Sequence, residues 1–385
     1  FEPQFITEMY NTPDWSEPEA KATDETGAHK TAKDTNSILQ EATKYYQHLY
    51  DVKVTNRVDQ RVAYALLSET QIEDPTRERC DSEITLAEVR AACKKAARRK
   101  APGPDGIPGE GYRTFLNLLA PRLYAVLLES QQLKRLPRSF LEGQVCLLYK
   151  KGDRADIRNY RPITLLNCDY KIYTKILTER MKAAAVQFAS PEQTGFVPKR
   201  FISDSTHFLK LIQDHVENEN TEGMFLFLDM EKAFDRVSWE FLLEGMHSLG
   251  FGKEFISLVK MMYDTNNPPK RRILVNGEKG HYFPIKSGVA QGCPLSPLLF
   301  LICAEVILRL SKKHLKGIKV KNRSYKASAF ADDTVLLLGG IKDLKKVWKL
   351  LKRYNGATGM LANAKKTEGL ALGRMKRVSL PDTRI

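Results

Sequence analysis

The chain has 385 residues, and its contents of 42% hydrophobic and 28% charged residues are typical of a folded protein that buries a substantial core. Sixty-one Lys and Arg residues oppose 46 Asp and Glu residues, so the net charge is +15. This excess favours polyanionic partners, with nucleic acid first and an anionic membrane surface second, while a basic protein without such a partner is the plainer alternative.

The six cysteines and the longest apolar run narrow the class of protein further. No cysteine belongs to a Cys-x-x-Cys pair, which excludes a zinc knuckle and favours reduced cysteines inside a cell. The longest apolar run, residues 295–308, contains Glu305 and is too short to span a membrane. We therefore expect no membrane partner and no signal peptide. The first residue is Phe1, which leaves open that the chain is a fragment of a longer protein.

The first 133 residues predict an extension followed by helices. Residues 1–34 are polar and contain three prolines, which is typical of a linker. Apolar residues recur at helical spacing over 38–49, after a cap predicted at Asn36. A capping box at Thr85 predicts a helix that ends at residue 99, a turn-rich loop covers 102–108, and a long helix is predicted over 110–133.

The rest of the chain alternates short apolar runs with helical periodicity. The predicted strands are residues 145–149, 224–228, 327–330, 334–338 and 369–372. The predicted helices are residues 165–185, 238–249, 253–264, 294–313 and 342–354. Asn276-Gly277 between two further apolar runs predicts a hairpin turn. This order indicates an α+β fold with helices and an antiparallel sheet.

Two acidic clusters follow predicted strands. Asp229 ends one apolar run, and the adjacent Asp332 and Asp333 lie between two others. Neighbouring carboxylates repel each other, and a hard cation such as Mg²⁺ relieves that repulsion. A carboxylate pair in a turn is weak evidence alone, because Asp is a common turn residue. Together with Asp229 the pair predicts a site for two metal ions.

The motifs around these residues resemble reverse transcriptases. Residues 330–333 (FADD) are similar to the aromatic-x-Asp-Asp motif, residues 227–235 to the first catalytic-aspartate motif, and residues 287–297 to the Gln-Gly motif. Motifs similar to those of the non-LTR (LINE-type) retrotransposon group are residues 99–106, 149–153 with 159–163, 193–196 and 359–367. The likeness covers about residues 85–373, with the motifs in the order of the family.

The resemblance implies the fold and the roles of several residues. It implies a right-hand polymerase fold, with an antiparallel palm sheet backed by helices and a fingers subdomain of helices and strands. Asp229, Asp332 and Asp333 would be the catalytic carboxylates that hold two Mg²⁺ ions, with Mn²⁺ as an alternative. The nucleotide-binding residues would be Lys150 and Arg161 at the triphosphate, Phe234 as the steric gate, Gln291 and Gly292 at the nucleotide and template, and Lys366 near the departing pyrophosphate.

Basic clusters supply the predicted contacts to nucleic acid. Arg99 and Lys100 form one of them, and Lys312 and Lys313 belong to another. Such clusters hold phosphates without reading sequence, although a solvated helix face is the alternative for individual lysines. The implied partners are an RNA template, a DNA primer or target, and deoxynucleoside triphosphates, in the nucleus and cytoplasm. The template, the DNA target and the oligomeric state stay open.

The motifs also suggest a domain plan. Residues 1–34 would be an extension, 35–130 a helical region that includes the 99–106 motif, 131–373 the reverse transcriptase domain, and 374–385 the start of a thumb or tail. Within that domain, fingers are expected over 131–215 and 250–286, and the palm over 216–249 and 287–373. The predicted function is RNA-directed DNA synthesis. Three alternatives stay open: a catalytically decayed RNA-binding relic, an RNA-dependent RNA polymerase and an intron maturase.

Overall fold

The computed structural model describes residues 5–11 and 31–377 of the chain. Most of the predicted extension over 1–34 lies outside the described residues, and so do residues 378–385 of the predicted tail. Within the described ranges, no helix combines the length and the apolar character that a membrane span requires.

Helices make up much of the described chain. They are α1 (Thr35–Leu49), α2 (Arg57–Leu67), α3 (Asp74–Asp81), α4 (Leu86–Lys94), α5 (Gly109–Thr114), α6 (Leu116–Leu133), α7 (Arg138–Leu141), α8 (Cys168–Phe188), α9 (Ile202–Asn218), α10 (Trp239–Ser248), α11 (Lys253–Lys260), α12 (Ser296–His314) and α13 (Ile341–Thr358).

The strands are short, and the longest has eight residues. They are β1 (Met9–Tyr10), β2 (Thr31–Ala32), β3 (Glu142–Tyr149), β4 (Tyr160–Leu166), β5 (Glu222–Leu228), β6 (Met230–Glu231), β7 (Lys270–Val275), β8 (Glu278–Lys279), β9 (Phe283–Pro284), β10 (Ile318–Val320), β11 (Arg323–Tyr325), β12 (Ala327–Phe330), β13 (Asp333–Leu338), β14 (Leu361–Ala362) and β15 (Glu368–Gly373). The α+β class predicted from the alternation of elements agrees with this mixture of helices and largely antiparallel sheets.

The first of two compact units is built on a mixed sheet. It comprises Phe1–Val52, Glu83–Leu177 and Ser257–Ser296. The strand order is β4-β3-β7-β8, with β9 also paired to β7; β3 runs antiparallel to β4 and parallel to β7. The turn between β7 and β8 has positive φ at both Asn276 and Gly277, as the hairpin prediction requires.

The second compact unit is built on an antiparallel sheet. It comprises Lys53–Ser82, Thr178–Ile256 and Pro297–Ile385, and its strand order is β12-β13-β5-β15. The central strands β5 and β13 are largely apolar, and most of their side chains on both faces are buried. Helix α12 is buried along nearly its whole length, which accounts for its apolar sequence. The assignment of fingers and palm to particular ranges stays a prediction.

Several helix boundaries differ from the predicted ones, and at α1 the reason is a side chain that caps the backbone. The cap of α1 is Asp34 rather than Asn36, and its carboxylate accepts a hydrogen bond from the N–H of Ser37 at 3.0 Å. The capping box at Thr85 is confirmed. Helix α4 ends at Lys94, short of the predicted residue 99, and the helix predicted over 110–133 is interrupted at Phe115, whose ψ of 33° is not helical.

A buried ion pair ties three segments of the second unit together. The Arg309 side chain is 7% exposed, and its Nε lies 3.2 Å from the carboxylate of the fully buried Glu305. Its two terminal nitrogens donate hydrogen bonds to the carbonyls of Leu66, Leu67 and Phe188 at 2.7 to 3.0 Å. The guanidinium therefore joins the Glu305 carboxylate to three backbone carbonyls, and Ser190 donates two further hydrogen bonds to that carboxylate.

Replacement of Arg309 by methionine should lower the free energy of unfolding by about 3–5 kcal/mol, because it leaves the buried Glu305 carboxylate without its cation, held only by the hydrogen bonds from Ser190. Burial already raises the pKa of Glu305, and removal of the cation raises it further. A native carboxyl with a raised pKa binds protons that the unfolded chain releases, so the deficit should shrink as the pH falls toward that pKa. Denaturant unfolding at several pH values measures both effects. A deficit independent of pH, or one equally large in the double variant Glu305→Gln, Arg309→Met, would contradict this account.

Candidate functional site

The predicted metal-binding carboxylates lie at one end of the antiparallel sheet of the second unit. Strand β5 ends at Leu228, which pairs with Thr334 of β13, so Asp229 follows the last pair of this ladder in one strand and Asp333 precedes it in the other. Asp332 occupies the tight turn between β12 and β13, where Phe330 pairs with Asp333. Asp229 and Asp333, which are 104 positions apart in the sequence, thus lie at the same end of two adjacent strands.

Carboxylate oxygens are the ligands that a hard cation prefers, but these three side chains are not arranged as a ligand cluster. Within residues 5–11 and 31–377, no group of three or more His, Cys, Asp or Glu side chains is arranged as a metal site. Asp229 and Asp332 are half-buried, and Asp333 is exposed. No ion pair in the described chain neutralises Asp229 or Asp333. Three oxygen donors of this kind fit Mg²⁺, which takes few carboxylates and completes its shell with water and phosphates.

Phe234, the predicted steric gate, is held by two other rings. It lies in the short 3-10 helix Ala233–Arg236, which follows Lys232 in a left-handed conformation. Its ring stacks on Phe300 of α12 with centroids 4.7 Å apart and an interplanar angle of 7°. The edge of Phe196 approaches it at 6.3 Å. A half-buried ring with a defined orientation can act as a steric wall.

Lys366 lies in a loop that contacts the backbone of Asp229. The N–H of Asn363 donates to the Asp229 carbonyl at 2.7 Å, and the N–H of Lys366 donates to the Asn363 carbonyl at 3.1 Å. Lys365 and Lys366 are both exposed, so the loop offers two cations rather than one. The choice of Lys366 stays a prediction.

Gln291 and Gly292 belong to the first unit and are attached to strand β4. The Gln291 carbonyl accepts a hydrogen bond from the N–H of Thr164 at 3.1 Å. Gly292 has φ of +112°, and a Cβ added to it would lie 2.8 Å from the Thr164 carbonyl oxygen. Both the conformation and the close approach require glycine. Any side chain at position 292 would therefore disturb the close approach of this backbone to β4.

Lys150 and Arg161 flank the loop between β3 and β4 in the same unit. The N–H of Lys150 donates to the Asn159 carbonyl at 2.9 Å and closes the loop. Arg161 pairs with Leu148 in the register, and both basic side chains are exposed. Lys150 and Arg161 thus lie on one hairpin, and their common role at a triphosphate stays a prediction.

Arg99 and Lys100 line a cavity of about 720 Å³ in the first unit. Apolar side chains form most of its wall, and Gly292 and Lys171 also contribute to it. Burial lowers the pKa of Lys171, so the cavity holds a cation that is poorly solvated. Apolar walls with a basic rim suit a nucleotide, whose base is flat and whose phosphate is charged.

Lys312 and Lys313, the remaining predicted contacts to nucleic acid, lie in the last turn of α12 in the second unit. Both side chains are exposed, and the ammonium of Lys312 is 3.7 Å from the carboxylate of Glu192. This partner reduces the charge that Lys312 offers to a phosphate. Lys313 is the better candidate of the two.

One segment beside the aspartate pair has no role assigned from the sequence. Residues 193–196 were recognised as a motif, and in the structure they contact the turn that carries Asp332. A buried glutamine within an irregular loop gives no periodic signal, so only the three-dimensional contacts reveal its neighbour.

The chain is similar to a known protein family and to several retrotransposon proteins. A family model described as "Reverse transcriptase (RNA-dependent DNA polymerase)" matches residues 149–378. The uncharacterized 149 kDa protein of transposon TX1 from Xenopus laevis is 32% identical over 312 residues, which cover 80% of this chain and 24% of that protein. The Pol polyprotein of the type-2 retrotransposable element R2DM from Drosophila melanogaster is 28% identical over 265 residues, 68% of this chain and 24% of that protein.

A third relative is the RNA-directed DNA polymerase from mobile element jockey of Drosophila melanogaster, which is 26% identical over 260 residues, 66% of this chain and 27% of that protein. The chain spans about a quarter of the length of these three relatives. The resemblance to retrotransposon polymerases that the ordered motifs indicated is confirmed. The chain belongs to the reverse transcriptase (RNA-dependent DNA polymerase) family.

Proposed function

We propose that this chain is an RNA-directed DNA polymerase that extends a DNA primer on an RNA template with deoxynucleoside triphosphates. The observation that carries the proposal is the register between β5 and β13, which brings Asp229 and Asp333 to the same end of two adjacent strands, beside the turn of Asp332. The names of the relatives support it, since one of them is itself called an RNA-directed DNA polymerase.

The proposed mechanism is in-line phosphoryl transfer. Asp229, Asp332 and Asp333 would hold two Mg²⁺ ions, which when bound acidify the primer 3′-hydroxyl and neutralise the triphosphate. The 3′-oxygen forms a bond to the α-phosphorus, the bond from that phosphorus to the bridging oxygen breaks, and pyrophosphate leaves. Catalysis then rests on positioning and on charge complementarity, with little covalent chemistry left to the protein.

The other predicted residues complete this scheme. Lys150 and Arg161 would neutralise the triphosphate, Lys366 would accompany the departing pyrophosphate, and the backbone at Gln291 and Gly292 would approach the nucleotide and the template. This division of labour corresponds to the fingers and palm of a right-hand polymerase. In a retrotransposon, the primer would be the 3′-end of a nicked DNA target.

Primer extension tests the proposal directly. The chain is incubated with a labelled DNA primer on a mixed-sequence RNA template, with Mg²⁺ and either deoxynucleotides or ribonucleotides. We expect extension with deoxynucleotides and none for Asp332→Ala. Incorporation of ribonucleotides alone would identify an RNA polymerase instead. RNA binding without any extension by the unmodified chain would identify a catalytically decayed relic.

The cavity lined by Arg99 and Lys100 gives a separate prediction for binding. Replacement of both residues by serine should weaken binding to a single-stranded RNA. Each lost phosphate contact should reduce the slope of log K against log salt by about 0.7, hence by about 1.4 for the pair. Fluorescence anisotropy across a salt series measures the slope.

The matched control for this prediction removes two lysines that already have acidic partners. Lys44 and Lys182 pair with Glu41 and Glu179 at 2.8 and 2.9 Å. Their replacement by serine changes the net charge by the same amount and should leave the slope within error. An equal fall in both double variants would show that only net charge matters.

A further inference from the structure

The side chain of Gln193 is hydrogen-bonded to the turn that carries the aspartate pair. It is fully buried, and its Oε1 accepts hydrogen bonds from the N–H groups of Ala331 at 2.9 Å and Gly195 at 2.8 Å. Its Nε2 donates to the Ala331 carbonyl at 3.3 Å. One amide thus satisfies both polar groups of the residue that immediately precedes Asp332.

The turn needs such support because of its backbone conformation. Ala331 has φ of +59°, a left-handed conformation that residues with a Cβ adopt rarely. Its side chain is buried, so water is a poor substitute for the missing partners of its peptide groups. The backbone angles at Ala331 also set the direction in which the chain reaches Asp332. The conformation that directs the first carboxylate is therefore held from outside the turn.

The segment around Gln193 is built closely onto β12. The N–H of Thr194 donates to the Ala329 carbonyl, and the N–H of Ala329 donates to the Glu192 carbonyl, each at 2.8 Å. A Cβ added to Gly195 would lie 2.1 Å from the Ala331 nitrogen. The segment therefore leaves no room for a side chain between itself and the turn.

The far side of the segment is also fixed. Arg200 donates hydrogen bonds to the carbonyls of Gln193 and Ser190, both at 2.6 Å. The N–H of Ser190 in turn donates to the buried carboxylate of Glu305 at 2.9 Å. The backbone that carries Gln193 is therefore held in place by these hydrogen bonds. If the turn moved, the amide of Gln193 could follow it only by breaking them.

We propose that Gln193 is a positioning residue that acts through Ala331 to orient the carboxylate of Asp332 for metal binding and catalysis. The inference rests on the proposed function, since its purpose is to present a carboxylate to a divalent ion. Partners behind metal ligands commonly change affinity or activity by about 10- to 100-fold when they are removed. Gln193 would have the same effect, but it would act through the backbone of Ala331 rather than on the Asp332 side chain itself.

The first test is Gln193→Met, which keeps the shape of the side chain and removes all three hydrogen bonds. We expect a loss of metal affinity or kcat of about 10- to 100-fold. The Mg²⁺ concentration for half-maximal primer extension should rise, while KM for the deoxynucleotide should change little. Val216→Ala is the stability control, because Val216 is buried in the core of the same unit and touches none of these groups. It should leave the Mg²⁺ dependence unchanged.

The second test, Gln193→Glu, separates positioning from general destabilisation. The neutral carboxyl has one donor and one acceptor and can reproduce the amide's bonds, whereas the carboxylate repels the Ala331 carbonyl. The ratio of variant to unmodified activity should therefore rise as the pH falls. This arm also serves if Gln193→Met does not fold. A ratio independent of pH, or a Gln193→Met variant whose Mg²⁺ dependence and kcat both equal those of the unmodified chain, would overturn the inference.

Metal binding without turnover distinguishes this inference from the proposed function. Mn²⁺ bound to the chain is counted by electron paramagnetic resonance, with no nucleic acid present. Weaker Mn²⁺ binding by Gln193→Met would support the inference even if the unmodified chain failed to extend a primer. Unchanged Mn²⁺ binding together with unchanged kcat in an active enzyme would refute it.

Discussion

Replacement of Asp229 by asparagine should reduce kcat for deoxynucleotide incorporation by about three orders of magnitude, because a metal-held phosphoryl centre contributes several kcal/mol and each 1.4 kcal/mol is tenfold. Asparagine keeps the size of the side chain and removes its charge. The strand before it is apolar and paired on both sides, so the fold should tolerate the change. Single-turnover primer extension measures the rate, and circular dichroism verifies the fold.

The control for Asp229→Asn is the same change at Asp214, a carboxylate of the same unit that forms an ion pair on the surface of a helix. Asp214 lies on the exposed side of α9 and pairs with Lys210 at 2.8 Å, an arrangement that contributes little to stability. Asp214→Asn should retain the activity of the unmodified chain. If Asp229→Asn kept more than a tenth of that activity, the carboxylate at the end of β5 would not be a metal ligand.

The sequence predicted correctly those elements that depend on residues close together in the chain. The capping box at Thr85, the turn at Asn276-Gly277 and the two strands around Ala331 appear as predicted. Each depends on residues within a few positions of one another. Strand β4 was not predicted as a strand, since Pro162 within it is typical of a loop. The strand is tolerated because β4 lies at the edge of its sheet, where no further strand needs the missing N–H.

Long-range contacts explain what the sequence could not predict. Helix α9 was not predicted: it packs Ile212 and Val216 into the core with Phe208 and Leu209 against them, but Ile202 and Leu211 are exposed, so its apolar residues do not all fall on one face. The three aspartates were identified through motifs, whereas their adjacency follows from a strand register between distant segments. Gln193 was found within a motif but without a role, because its partner lies 138 residues further along the chain.

Replacement of Phe234 by valine should lower the preference for deoxynucleotides over ribonucleotides by about 10- to 100-fold, the range over which a hydrophobic wall can discriminate a single hydroxyl. The shorter side chain opens space where the ring stands, so a 2′-hydroxyl is no longer excluded. The ratio of kcat/KM for paired deoxy- and ribonucleotides measures the preference. The kcat/KM for the deoxynucleotide should change much less, because the carboxylates are untouched.

Phe300→Leu makes this prediction sharper, because it leaves the gate ring in place and removes its support. Aromatic stacking contributes about 0.5–1.5 kcal/mol beyond burial, so the loosened ring should lose up to about tenfold in discrimination. The preference should therefore fall in the order unmodified chain, Phe300→Leu, Phe234→Val. If Phe300→Leu lost as much discrimination as Phe234→Val, the position of the ring rather than its bulk would decide the sugar. If neither changed the ratio, Phe234 would be a core aromatic residue, and sugar selection would lie elsewhere in the chain.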